Sequence, residues 1–108
     1  DRRRIGKDLR TSIETEPAIV SVASLWEIAI KLELGKLEAP DDLPARAEAA
    51  GFRILELSAE HAWQVRRLPS HHRDPFDRML IAQAQVEREP ILTADPVFAR
   101  YDIGLVGH

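Results

Sequence analysis

The chain has 108 residues, with 15 basic and 18 acidic side chains and a formal charge of −3 with His neutral. Apolar residues make up 44% and charged residues 31%, which excludes a disordered tail or a membrane-spanning chain and fits one globular domain with a real core. Cys is absent, excluding disulfides, thiolate zinc sites and Cys nucleophiles. With no charged-then-apolar leader in view, the cytoplasm is the expected compartment. The mild acidity argues against coating nucleic acid by bulk charge, but leaves room for an enzyme whose site is built from carboxylates.

Arg2, Arg3, Arg4, Lys7 and Arg10 surround a narrow stripe of Ile5, Leu9 and Ile13, which predicts an amphipathic helix over 2–15 that Pro17 ends. Ala18 to Val22 reads as a strand buried on both faces. Ser24 then opens a helix that is apolar almost all round from Leu25 to Leu34, with Gly35 suited to its C′ position, so this helix is expected to be well buried. Lys36 to Pro40 is a connector, and Asp41 or Asp42 caps a short helix ending at Gly51. Phe52 to Leu57 alternates as a half-exposed strand. Ser58 caps a helix carrying Ala62, Trp63 and Val65. After the polar loop Ser70 to Arg73, Asp74-Pro75 starts a helix from Phe76 to about Arg88. Ile91 to Thr93 is a short strand, Asp95-Pro96 begins a helical turn, and Ile103 to Val106 is a last strand. Short strands alternating with helices predict an α/β fold with a mainly parallel sheet.

Three acids stand out because each opens a helix: Glu27, Asp77 and Asp95. Capping explains each one singly. Ser24-x-x-Glu27 has capping-box spacing, Asp74 and Asp95 precede Pro as good N-caps, and Asp77 gains from the positive helix end. Jointly they support another reading. Residues just after strand C-termini collect along one edge of an open α/β sheet, where ligands bind. Carboxylates gathered there call for a cation, and all-oxygen donors suit Mg²⁺ or Mn²⁺ and metal-assisted phosphoryl chemistry.

Arg73 and Arg78 flank Asp74 and Asp77. They are read as solvated or paired to nearby acids, or else as phosphate-positioning groups on a nucleic acid. The four His show no metal-ligand spacing. Trp26 and Trp63 occupy apolar helical positions and read first as core, with base stacking a distant second.

Several runs resemble VapC-type toxins of the PIN-domain ribonuclease family. They are Ser21-Val22-Ala23-Ser24-Leu25-Trp26-Glu27-Ile28-Ala29-Ile30-Lys31 with Leu34-Gly35-Lys36-Leu37, and His71-His72-Arg73-Asp74-Pro75-Phe76-Asp77-Arg78 through Ala84. Leu92-Thr93-Ala94-Asp95 with Phe98 is similar to the family's late acidic motif. The resemblance covers about residues 5 to 106. It implies an α/β/α sandwich around a parallel sheet and an endoribonuclease dependent on Mg or Mn. It also implies a cytoplasmic homodimer held inactive by a cognate antitoxin, with RNA as substrate and no membrane partner. By motif, Glu27, Asp77 and Asp95 match the acidic catalytic and metal positions. Ser24, Asp74 and Thr93 are neighbours of that site, and Arg73 and Arg78 are candidate RNA contacts.

One departure stands against the resemblance. The family begins with a central strand ending in an Asp that binds metal, and nothing here matches it. The chain starts at Asp1, and its only Met is Met79. Roughly 15–20 residues are therefore expected to be absent, the room a strand and a helical turn require. A chain lacking that strand is expected not to be a stable active enzyme alone. The alternative function is a PIN-like module that no longer cleaves and only binds an antitoxin or other protein. A third reading, acids serving only as caps, expects the carboxylates to lie far apart.

Overall fold

The computed structural model describes residues 18–69, 74–101 and 103–107. The expected basic helix over 2–15 and the Ser70–Arg73 loop lie outside the described residues. Strand β1 (Ile19–Ser21) is buried along its whole length, as its β-branched run predicts. Ser21 ends the strand and caps helix α1 (Val22–Glu33), its Oγ accepting the Ala23 N–H at 2.9 Å. The helix thus begins three residues before the opening expected at Ser24–Leu25. Ser21, in extended backbone, already satisfies a first-turn amide, so Ser24 is free for another task. Glu27 consequently lies in the second turn, and the expected Ser24–Glu27 capping box does not form.

The other end of α1 follows the sequence. Gly35 has φ +76°. Its N–H reaches Leu32 O at 3.1 Å, while Lys36 N–H reaches Lys31 O at 2.9 Å, the paired bonds of a Schellman motif. The burial expected of α1 is not observed. Only Ala23, Ser24 and Ile28 are buried, and Trp26 and Leu34 are 60% and 63% exposed. Among the described residues the sheet beneath is a parallel pair with one further bridge, and α1 lays one stripe of side chains against it.

The chain continues through β2 (Leu37–Glu38), α2 (Leu43–Ala49), β3 (Arg53–Leu55) and α3 (Ala59–Gln64), which runs into a 3₁₀ turn at Val65–Arg67. Helices α4 (Pro75–Glu87) and α5 (Ala94–Arg100) follow, then β4 (Val106–Gly107). β1 pairs in parallel with β3, Val20 facing Ile54. On its other edge Val20 forms a single parallel bridge with Leu92, whose N–H donates to Ile19 O at 2.7 Å. The strand expected over Ile91–Thr93 is reduced to that bridge. The supposed connector Lys36–Pro40 contains β2, which pairs antiparallel with β4. A parallel pair packed with helices, beside a separate antiparallel pair, gives the α/β class the alternation of elements predicts.

The core centres on Phe52. Phe98 and Tyr101 meet it edge to face, at 5.3 and 5.7 Å between centroids. Val20, Ile28, Leu37, Leu43, Ile103 and Leu105 close around them. A polar tie joins α3 to α4. Ser58 Oγ accepts the His61 N–H, and His61 Nδ1 accepts the Ser58 N–H, both at 3.1 Å. With Nδ1 accepting, Nε2 carries the proton and donates to Glu87 at 2.7 Å. His61 is 2% exposed, so this imidazole serves the fold.

Candidate functional site

Strand β1 delivers the chain directly into α1, and the Leu92 bridge delivers it into α5. Both helices therefore start at the same sheet edge. Ser24 pins them together: its buried Oγ accepts the Ala94 N–H at 2.9 Å. Helix α4 crosses α1 nearby, where Trp26 and Phe76 pack edge to face at 5.2 Å. Glu27, Asp77 and Asp95 thus ride three different helices, two of which, α4 and α5, pack against α1.

Asp74 caps α4 as its Asp-Pro sequence predicts, one Oδ1 accepting the N–H of Phe76 at 2.8 Å and of Asp77 at 3.0 Å. Asp77 then occupies the first turn. Asp95 does not cap α5. Thr93 holds the flanking position without a side-chain bond, and Asp95 lies inside the first turn. The Asp95 carboxylate turns instead to α1, where Lys31 Nζ stands 3.2 Å from its Oδ2.

The electrostatics report the gathering of these groups. Burial raises the Glu27 carboxyl above the usual carboxylate range. Lys31 opposes that rise, and the negative charges of Asp74, Asp77 and Asp95 add to it. Glu27 thus lies within electrostatic range of Asp74, Asp77 and Asp95. Asp77 and Thr93 also share a groove of about 310 Å³ floored by Leu80, Ile81, Ala84 and Ile91.

Four carboxylates without a thiolate or a free imidazole among the described residues form the donor chemistry of a hard, oxygen-seeking divalent cation. Among the described residues no three His, Asp or Glu side chains are yet arranged around a single ion position. Lys31 takes up part of the negative charge at Asp95.

Of the two candidate phosphate contacts, Arg78 is engaged within the fold. Arg78 is half-buried, its guanidinium donating to Pro69 O and Val65 O at 3.0 Å each, which ties the start of α4 to the 3₁₀ turn. Arg73 lies outside the described residues. The assignment of both tryptophans to the core is overturned, since Trp63 is 67% exposed and Trp26 60%. Arg66 lies over the Trp63 ring at 5.0 Å. Sequence reasoning gave Lys31 no role. Its i, i+4 spacing from Glu27 was the available signal, but its partner at Asp95 comes from the fold.

Fold and site together define a small α/β domain with an acidic edge. The sequence profile of the PIN domain matches residues 1–104, and the chain belongs to the PIN domain family, whose members are generally nucleases. Comparison with curated proteins and with solved structures returns no significant match. No helix among the described residues is long and apolar enough to cross a membrane.

Proposed function

We propose that this protein is a metal-dependent endoribonuclease, the toxin of a type II toxin–antitoxin pair, with Glu27, Asp77 and Asp95 holding Mg or Mn. The observation that supports this reading is geometric: the Ser24–Ala94 bond and the Trp26–Phe76 contact draw the helices bearing Asp95 and Asp77 against the helix bearing Glu27, whose carboxyl responds to their charges. Like charges gathered at one edge are costly, and a cation offsets that cost. A divalent ion bound there would supply an activated water and neutralise charge on the phosphate. The chain's own part is placement. Asp74 fixes the first turn that presents Asp77, Ser24 holds the helices bearing Glu27 and Asp95 in register, and Thr93 lines the groove beside Asp77. An RNA substrate, a cognate antitoxin over the acidic edge, a homodimer and a cytoplasmic setting belong to the same proposal.

A second reading is a PIN-like module that binds a protein partner without cleaving. The Lys31–Asp95 pair favours it, because an internal cation already neutralises one carboxylate. A Mn²⁺ titration by calorimetry separates the two. The nuclease reading expects saturable binding by the wild type, about tenfold or more weaker in Asp77→Asn and Glu27→Gln, and loss of RNA cleavage in both. Equal binding in all three, or none in any, would return these acids to structural roles.

A further inference from the structure

We propose that Trp26, propped by Phe76, is a stacking shelf for an unpaired nucleobase beside the acidic edge. The inference rests on the nuclease reading and names how substrate is held there. Trp26 is 60% exposed, although the sequence places it on an apolar helix face. It is also held in place. Phe76 meets it with ring centroids 5.2 Å apart and planes at 77°, an edge-to-face contact that fixes an indole while using at most one of its two faces.

The pair stands where the acids stand. Trp26 immediately precedes Glu27, and Phe76 immediately precedes Asp77. The Asp74 cap that orients Asp77 also takes the Phe76 N–H. The same crossing of α1 and α4 thus carries both the aromatic pair and two of the carboxylates that act on Glu27, Asp74 and Asp77.

The charge there argues for a base as occupant. Among the described residues the cations beside this edge are engaged, Lys31 with Asp95 and Arg78 with backbone carbonyls, so the aromatic pair is suited to a contact other than charge pairing. Stacking needs no charge. It accepts any base with a free π-face, and it suits single strands, whose bases are splayed and unpaired. Trp63 provides the contrast: Arg66 lies over its ring, on a different helix from the acids.

The two tryptophans make the test direct. In a Trp63→Phe chain, indole emission reports Trp26 alone. Titration in EDTA uses a single-stranded RNA oligonucleotide and an abasic strand of equal length and charge. Saturable quenching by the first and little by the second is expected. In the parent chain, Trp26→Ala is expected to weaken oligonucleotide binding by roughly 5- to 150-fold. Trp26→Tyr is expected to retain most of the affinity, and Trp26→Leu to behave as Ala. Equal quenching by the abasic strand, or a Leu variant that binds like wild type, would overturn the shelf. So would quenching that grows with protein concentration alone, which would assign the indole to a second copy of the chain. If the oligonucleotide binds while Trp26 stays silent, only the shelf falls. If wild type binds neither strand, with or without Mn²⁺, the nuclease reading falls and takes the shelf with it.

Discussion

Glu27 shows how a single side chain carries the tension of the site. Burial raises its carboxyl pKa, and three other carboxylates reinforce the rise against the pull of Lys31. A carboxyl whose folded pKa lies above its unfolded value favours the fold when protonated. That contribution is fully present at low pH and is lost as pH rises from the unfolded value, about 4.3 for Glu, through the raised folded one. Glu27→Gln stays neutral throughout. It is expected to melt above wild type at neutral pH, with the gap closing as pH falls below the unfolded carboxyl value. A variant that melts below wild type at neutral pH would show that the carboxylate is held by favourable partners instead. Groups kept at a stability disadvantage are the ones expected where chemistry is done.

Among the elements, two glycines with positive φ separate backbone strain from crowding. Gly35 closes α1 at φ +76°, and a Cβ there would meet nothing within 4 Å. Gly104 has φ +103° between buried Ile103 and Leu105, and a Cβ there would stand 2.7 Å from the Pro40 ring. Gly35→Ala is expected to cost about 1–2 kcal/mol, the strain of a left-handed Ala. Gly104→Ala adds a clash of about 1–3 kcal/mol and opens the β2–β4 pair. Urea unfolding midpoints check the order, and equal losses would mean that Pro40 moves aside freely. The elements also show what sequence conveys. The Asp74 cap and the Gly35 stop were legible because both are completed within a few residues. The start of α1 was not, because Ser21 and Ser24 are equally good caps on paper. What decides between them is that Ser24 is claimed by Ala94, 70 residues away. The exposure of Trp26 was hidden for a similar reason, since periodicity gives the apolar positions of a helix but not the width of the sheet that must cover them.

At the scale of the whole molecule, the motifs predict Glu27, Asp77 and Asp95 along one edge, and in the fold Glu27 feels the charges of the other two. The Lys31–Asp95 pair spans 64 residues and had no local signature. The bond that closes the assembly has a use in solution. First-turn amides of a helix ordinarily lack an internal partner and trade their protons with water readily. The Ala94 amide is sealed by Ser24 Oγ, and Ala94 is fully buried. Its deuterium uptake is therefore expected to be as slow as that of the β3 amide of Arg53, which donates to Ala18 O, because it opens only when α1 and α5 part. Ser24→Ala is expected to speed uptake at Ala94 well beyond that at Arg53, and equal acceleration at both would mean that the bond only contributes to global stability. One amide peak in an exchange spectrum would then serve as a clock for whether the acidic edge is assembled.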